Sequence, residues 1–494
     1  MAVRANESIY DLEAKRQRMK TKLTIALSLA VLAVAAFFVK TWRDTSRASV
    51  AIKENLPDVP NTATLNDRFG ERVVAVDKEA RNEQDLDAYR ELSRLYHANG
   101  YMHEAWSIYR GLIAADPKEA KWPHLLARIF SGYGRLEEAI PLFERAIALE
   151  PKYLPSRIHL ANSLLKSNRL AESEKVNEEV LKIEPKNSHA LVGLARIDIA
   201  RGDWEKARDR LVEVTKHSGY KIGSDLLADV YEKLGDRNSA RMIMHNSQWG
   251  SFNDIADPWM IDLMYDCYDP YQVAIAGGWA DHAGDRKAGI RLLRRSIFLD
   301  PGSAMTHYQL GNLYLADGAV NNAKDSFAKS IELRPEFADA WFGLIRIEER
   351  TNNLKAAAVL LVRALQSCPD SPSLNIRMGS QLLDQDRPGQ AIELFKKAIE
   401  LLPHEAGGYL QLARAYLKIG KEEQAILEME NALKAEPSNP LALMTLSRNS
   451  ISKGDEANAE SYLSRCVNSP RISERELLPL INAFRSTFGR KPTL

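Results

Sequence analysis

The prolines in the second half of the chain recur at a fixed interval. Pro335, Pro369, Pro403 and Pro437 close four successive units, each 34 residues long. A self-similarity of this length is typical of a repeated helix–turn–helix unit. Such a unit buries its apolar face only against its neighbours, so the chain is expected to form a stack of helix pairs instead of one globular core.

Each unit places the same residue types at the same positions. In the unit spanning residues 303–336, Gly311 lets the second helix approach the first, and Ala323 is the small residue where the helices cross. Phe327 lies one turn further along the apolar face of the second helix. Pro335 ends that helix, because its ring removes a backbone donor and clashes with the preceding turn.

The later units repeat these residue types at the same 34-residue spacing. The unit closed by Pro369 contains Trp341, Leu344, Ala357, Leu361, Ala364 and Pro369. The pattern resembles that of the tetratricopeptide repeat (TPR) family, W-x2-LG-x2-Y…A-x3-F-x2-A…P, in its membrane-anchored bacterial type. The resemblance implies an all-α fold, a right-handed TPR superhelix or α-solenoid. It also implies a scaffold for protein–protein interactions and not an enzyme, with no cofactor and no metal.

The resemblance covers about residues 86–472 and predicts eleven repeats. The phase breaks once, before residue 270, and residues 1–47 carry a net charge of +5 (nine Lys and Arg against four Asp and Glu). The predicted layout is a basic leader at 1–22, a transmembrane signal anchor at 23–39, a linker and lead-in helix at 40–85, repeats 1–5 at 86–253, an insertion at 254–269, repeats 6–11 at 270–472, and a capping helix with a tail at 473–494.

Residues 23–39 form an uncharged apolar run between Lys22 and Lys40. Seventeen residues cover about 26 Å as a helix, near the short limit for crossing a bilayer. The run predicts a signal anchor. The alternative is a cleaved signal peptide with Ala33 and Ala35 at the cleavage site, although the leader is long for one.

Lysine and arginine in the flanks predict the orientation of this anchor. Six basic residues precede the run and four follow it closely. This bias places the N-terminus in the cytoplasm and the repeats outside the inner membrane, in the periplasm of a bacterial cell. The net charge of +1 for the whole chain provides no bulk attraction to nucleic acid.

The insertion at 254–269 combines five aspartates with aromatic residues. Insertions in repeat arrays often map to a binding face, so Trp259, Tyr265 and Tyr268 are candidate docking residues. The alternatives are an extra helix packed on the solenoid and a catalytic carboxylate pair, for which no accompanying nucleophile is evident. Because the 34-residue phase resumes afterwards, the sequence predicts that the array tolerates removal of this segment.

A stripe of polar residues recurs on the first helices. In TPR proteins the residue after the LG-type pair faces the concave groove, and arginine at that position suits carboxylates because its fork binds them bidentately. The alternative is a solvated polar face. The candidate partner-binding residues are Arg90, Arg94, Arg128, Asn162, Arg196, Asn312, Arg346, Arg414 and Arg448.

Three function classes follow. The first is a membrane-anchored scaffold in an envelope assembly that binds partner proteins through acidic segments or C-termini. The second is a cytoplasm-facing regulatory adaptor of envelope polysaccharide or lipopolysaccharide synthesis, although the CxxC module of such adaptors is absent from the sequence. The third is an enzyme with its site at the insertion. No phosphate loop, HExxH or GxSxG motif supports the third class.

Overall fold

A computed structural model describes residues 29–30, 32–36, 46, 49–51, 53–61, 67–82, 85–217, 220–247, 255–467, 469 and 472–493. The chain divides into two compact units, residues 1–283 and 284–494. In both units the first and second helices of the repeats alternate along the chain, and the two helices of a pair pack against each other. Each described unit is therefore an all-helical, TPR-like solenoid of packed helix pairs.

Among the residues described from Asp67 onward, the first unit contains a lead-in helix, five helix pairs, a short helix from the insertion and one further helix. These are α1 (Asp67–Asn82), α2 (Leu86–Ala98), α3 (Met102–Ala115), α4 (Lys121–Gly132), α5 (Leu136–Leu149), α6 (Leu154–Lys166), α7 (Leu170–Ile183), α8 (Ser188–Arg201), α9 (Trp204–His217), α10 (Lys221–Lys233), α11 (Arg237–Ser247), α12 (Pro258–Leu263) and α13 (Pro270–His282).

The second unit begins with one helix, continues with five helix pairs and ends with a single helix. These are α14 (Arg286–Leu299), α15 (Ala304–Ala316), α16 (Val320–Leu333), α17 (Ala338–Arg350), α18 (Leu354–Ser367), α19 (Pro372–Asp384), α20 (Pro388–Leu401), α21 (Ala406–Lys418), α22 (Glu422–Ala435), α23 (Pro440–Ser452), α24 (Glu456–Val467) and α25 (Glu474–Phe488). α25 packs on α23 and α24 and buries Leu480 and Phe484.

Local chemistry sets where the helices start and stop. Several first helices begin after a side-chain cap, such as Asn187, whose side chain accepts from the backbone N–H of Ala190. The turn inside a repeat needs a left-handed residue, which glycine adopts without a Cβ penalty, as at Gly202 with φ of 83°. Asn168 and Asn352 take the same conformation, each with φ of 57°.

Small residues allow the close packing that the repeat grammar predicts. The ring of Phe327 lies between Gly311 and Gly343, on the first helices of two successive repeats. A Cβ at either glycine would lie 2.7 Å from the ring. The aromatic residue of a second helix thus fills the space left by glycines on both sides, which explains why the two residue types recur together.

The segment before the first repeat packs onto it. α1 buries Phe69, Val73 and Val76. Within the predicted linker, Ala51 is buried, and the hydroxyl of Ser107 donates to the backbone carbonyl of Asn55 at 2.8 Å. This part of the predicted linker therefore packs against the first repeat.

The predicted anchor lies mostly outside the described residues. Of residues 23–39, only 29–30 and 32–36 are described, and they are helical. Within the part of the chain that the structure describes, no helix combines the length and the apolar character needed to cross a membrane. The leader at 1–22 lies entirely outside the described residues. The anchor and its orientation remain predictions from sequence.

Candidate protein-binding groove

The insertion lies on the first helices of the first two repeats. Its short helix α12 packs on α2 and α4, and the 3₁₀ turn Met264–Asp266 that follows also packs on α2. Asp257 caps α12 by accepting from the backbone N–H of Met260, and Pro258 stands at the first helical position. The segment is therefore an ordered part of the first unit.

A buried carboxylate holds the start of the insertion. Asp257 is only 4% exposed. Its Oδ1 accepts from the hydroxyl of Tyr153 at 2.6 Å, and its Oδ2 lies 2.9 Å from His124 Nε2 and 3.7 Å from His159 Nε2. Burial alone would raise the pKa of this carboxyl, but the hydrogen bonds from His124, His159 and Tyr153 hold the pKa well below its usual range.

Aromatic stacking accompanies these hydrogen bonds. The ring of Trp259 stacks on that of Tyr153 with centroids 3.6 Å apart, and its edge meets His124 at 5.2 Å. At the other end of the insertion, Tyr268 meets Phe69 edge-on at 5.7 Å, and its backbone N–H donates to Asn99. Two of the three predicted docking residues thus dock the insertion onto its own repeats. Tyr265 is half-buried.

The insertion also supplies acids to the arginine stripe. Arg94 Nε lies 2.7 Å from Asp266 Oδ2, and Arg128 Nε lies 3.9 Å from Asp257 Oδ2. Arg128 also donates to the ring of His159 at 2.8 Å. Arg94 and Arg128, which the sequence predicts to bind an external acidic partner, therefore pair with acids of the same chain.

The packing of the insertion favours a larger cost for its removal than the 34-residue phase predicts. Deletion would leave the buried His124 and Tyr153 side chains without their carboxylate acceptor, and Arg94 without its ion pair. Loss of one partner from a buried polar network is strongly destabilising. The periodic phase gives no sign of this, because the contacts join residues more than 100 positions apart.

The other stripe residues have varied surroundings. Arg90 pairs with Asp87 and Asp116 of its own repeat, at 2.8 Å each. In the second unit Arg346 donates to Asn312 at 3.3 Å, and Arg414 pairs with Asp384 at 3.0 Å. Arg448 is exposed. Asn312, Arg346, Arg414 and Arg448 do not line a cavity found among the described residues of that unit. That cavity is lined by Arg294, Ile297, His307, Leu310, Tyr314, Asn322, Asp325, Ser326 and Lys329.

Ser156, His124 and Asp257 form a hydrogen-bonded chain that has the order of a hydrolytic triad. Ser156 Oγ lies 2.9 Å from His124 Nδ1, and His124 Nε2 lies 2.9 Å from Asp257. Ser156 and His124 have no exposed surface, so a substrate does not reach the hydroxyl in this arrangement. The arrangement therefore serves packing, because each buried polar group is satisfied.

Two further histidines are buried in the first unit. His97 contacts the hydroxyl of Tyr109 at 3.0 Å, and burial lowers the pKa of His97 to about 3. Burial likewise lowers the pKa of His159 to about 4, despite the hydrogen bond to Asp257 that raises it. Both rings are neutral at physiological pH. The neutral ring of His159 lies beside the buried carboxylate of Asp257.

An open groove continues from the insertion along the first helices of repeats 2 to 5, α4, α6, α8 and α10. It has a volume of about 570 Å³. It is lined by Arg128, Ser131, Gly132, His159, Asn162, Leu165, Lys166, His189, Arg196, Tyr220, Ile222, Ile255 and Trp279, with no acid among these described residues. We call it the basic groove.

Three successive stripe residues, Arg128, Asn162 and Arg196, meet in the basic groove. The side chains of Asn162, Lys166 and Arg196 have no hydrogen-bond or ion-pair partner in the part of the chain that the structure describes. The groove thus offers unpaired cationic and amide donors, and its lining also includes the exposed ring of Trp279. This donor set suits carboxylates. Among the described residues there is no group of three or more metal-binding side chains.

One family model for the tetratricopeptide repeat matches residues 132–182, 178–218 and 382–429. A second model for this repeat matches residues 308–372. The chain therefore contains tetratricopeptide repeats in both units. A curated relative, cellulose synthase operon protein C of Pseudomonas fluorescens (strain SBW25), is 23% identical over 208 residues, which is 40% of this chain. The match spans only 16% of that protein.

Solved structures of similar proteins include Pseudomonas aeruginosa pilF, at 23% identity and a TM-score of 0.34, over 38% of this chain and 86% of that one. Yeast Tom70 is 14% identical with a TM-score of 0.36, over 85% of this chain and 96% of that one. MamA is 25% identical with a TM-score of 0.28, over 33% and 94% respectively. All three TM-scores lie below 0.5 and say nothing about partners.

Proposed function

We propose that the chain is a scaffold that holds a partner protein by binding an acidic segment of that partner in the basic groove. The observation that carries the proposal is the set of unpaired donors, Asn162, Lys166 and Arg196, in a groove whose lining contains no acid. Tetratricopeptide repeats support a scaffold more readily than a catalyst, although the fold alone names no partner.

The chain's own insertion supports an acidic partner. The neighbouring stripe arginines, Arg94 and Arg128, lie against aspartates of that insertion. The same kind of first-helix surface therefore already accommodates an acidic, aromatic segment within this chain. Because the basic groove continues this surface with its donors unpaired, an external acidic segment is the complementary occupant.

We further propose that residues 23–39 anchor the scaffold in the bacterial inner membrane, with the N-terminus in the cytoplasm and the repeats in the periplasm. The support is the uncharged run and the basic residues that precede it. In this arrangement the basic groove would face partners of an envelope assembly.

A second candidate is a regulatory adaptor of envelope polysaccharide synthesis. The curated relative is named for a cellulose synthase operon, which favours a polysaccharide pathway over other envelope assemblies. Such an adaptor would have its repeats in the cytoplasm. Reporter fusions after residue 494 would separate the two candidates, because a periplasmic reporter is active only if the repeats are exported.

A charge reversal in the basic groove tests the partner-binding proposal. We expect Lys166→Glu combined with Arg196→Glu to weaken binding of a fluorescein-labelled Asp/Glu-rich peptide roughly tenfold, since each engaged ion pair contributes up to about 1 kcal/mol. The midpoint of thermal unfolding should stay within a few degrees of the parent, because neither side chain has a partner in the fold. Binding of the parent should weaken as salt rises.

The matched control is Arg448→Glu, an exposed arginine at the same repeat position in the second unit. It should leave the affinity unchanged. If the control weakens binding as much as the double variant does, the groove is not the site and only net charge matters. If the parent binds no acidic peptide even at low salt, the proposal fails.

A further inference from the structure

An apolar pocket lies beside the basic groove and shares three of its residues, Arg128, Ile255 and Trp279. The pocket has a volume of about 100 Å³. One side is formed by the insertion, with Met260, Ile261 and Met264, and the other by α13, with Ala276 and Trp279. The pocket therefore exists only because the insertion packs against the repeats.

The lining suits a single apolar side chain. A cavity of about 150 Å³ lined by aliphatic side chains accepts a benzene molecule. This pocket, at about 100 Å³, is smaller and suits an aliphatic side chain such as that of leucine. Two of its residues are methionines, whose flexible thioethers adapt to different apolar shapes. Trp279 at the mouth is 54% exposed, a large aromatic surface that a bound side chain would cover.

The pocket opens next to cations, not next to acids of the repeats. Arg128 belongs to both the pocket and the basic groove, and Arg196 and Lys166 lie further along the groove. The carboxylate of Asp257, which also lines the pocket, is already satisfied by Tyr153 and His124. A segment that enters the pocket with an apolar side chain would continue across unpaired donors.

We propose that the partner segment carries a large apolar side chain that inserts into this pocket while its acidic residues lie along the basic groove. The insertion at 254–269 is then a specificity element: it builds the pocket that selects the apolar anchor. This inference rests on the proposed function, since it identifies the chemistry of the segment bound in that groove.

The test uses the full chain and a set of labelled peptides with the same Asp/Glu/Ser composition. In each peptide a single leucine, or an alanine at the same place, is moved along the sequence. At the best position we expect the leucine peptide to bind at least about tenfold more tightly than its alanine counterpart, because burial of the extra methylenes is favourable. No preference at any position would overturn the inference.

Two variants identify the pocket. Trp279→Ala should abolish most of the leucine preference, measured as the ratio of the affinities of the leucine and alanine peptides, so that a general loss of groove binding cancels. Tyr271→Ala, an exposed aromatic on the same helix that does not line the pocket, should leave the preference intact. A loss of preference in both variants, or in neither, would contradict the assignment.

Ala256→Trp gives an independent check. Ala256 is exposed and lines the pocket, so the new ring should fill the pocket at little cost to folding. It should remove the leucine preference as Trp279→Ala does. The outcomes for the two proposals are distinct: peptides that bind through their acids without a leucine preference defeat only this inference, whereas peptides that do not bind at all defeat the proposed function.

Discussion

Replacing Asp257 with alanine should lower the free energy of unfolding of the first unit by about 3–5 kcal/mol, the usual cost of removing one partner from a buried charged network. The variant leaves the hydroxyl of Tyr153 and the ring of His124 buried without their acceptor. It also removes the cap of α12, so the stacked pair of Trp259 and Tyr153 should separate.

Hydrogen exchange measured by mass spectrometry would report this effect unit by unit. Peptides from residues 121–166 should exchange much faster in Asp257→Ala, whereas peptides from residues 320–401 serve as an internal reference in the second unit. The matched control is Asp262→Ala, whose carboxylate is largely exposed and 3.7 Å from Lys121. That change should cost at most about 1 kcal/mol. Equal effects from the two variants would show that the insertion is only loosely attached.

Acid should destabilise the first unit well above the pH at which carboxylates are protonated. The pKa values of His97 and His159 are lowered to about 3 and about 4 by burial. An unfolded histidine has a pKa near 6.5, so below that pH the unfolded chain binds protons that the folded chain does not. Stability is therefore greatest above pH 7 and is lost as the pH falls. The loss amounts to about 2 kcal/mol per histidine by pH 5.

Other groups around these rings do not reverse the sign. His159 faces Arg128, which lowers its pKa further, and Asp257, which raises it without overcoming burial. His97 faces Tyr109 and is influenced in the same two directions by Arg128 and Asp257. The pKa of Asp257 itself is held well below its usual range, so the stability it contributes is lost only at still lower pH.

The measurement is the free energy of unfolding in urea at pH 8 and at pH 5. We expect His97→Phe to reduce the difference between these two values by about 2 kcal/mol, since a phenylalanine cannot bind the proton. His404→Gln, at an exposed histidine of the second unit, should leave the difference unchanged. A pH dependence that is the same in His97→Phe and in the parent would contradict the assignment.

The sequence was sufficient to predict the repeats because their determinants are local. Gly311 and Phe327 lie 16 positions apart and meet directly, and a left-handed residue stands where each turn requires one. The same phase also predicts which side chains share a surface. Arg128, Asn162 and Arg196 do line one groove.

The contacts that hold the insertion against the repeats are not predictable from the periodicity of the sequence. Arg94 and Asp266 are 172 positions apart, and His124 and Asp257 are 133 positions apart. A repeat pattern describes contacts between neighbouring units, so it contains no information about a segment that folds back over several of them. His124, Tyr153 and His159 were not identified as functional residues. The one signal available was the Asp257–Pro258 pair, a typical start of a helix, followed at once by Trp259.

The function class was partly predictable for the same reason. In-phase arginines indicate a surface for acids, but the sequence does not show which arginines are already paired. Arg94 and Arg128 pair with the chain's own aspartates, whereas Lys166 and Arg196 have no partner within the described residues. Within the first unit, the part of the stripe left for an external acidic partner is therefore the basic groove on repeats 2 to 5.

The central claim is that an acidic segment of a partner protein lies in the basic groove, and site-specific photo-crosslinking in cells tests it most directly. A photo-reactive amino acid replaces Lys166, which lines the groove, or, as a control, the exposed Lys182 on the second helix of the same repeat. Crosslinked peptides are then sequenced by mass spectrometry. The account predicts that position 166 captures an Asp/Glu-rich segment containing a large apolar residue, that position 182 does not, and that Arg196→Glu clearly lowers the yield of the crosslink at 166. Capture of the same segments from both positions, or an undiminished yield at 166 in Arg196→Glu, would contradict it.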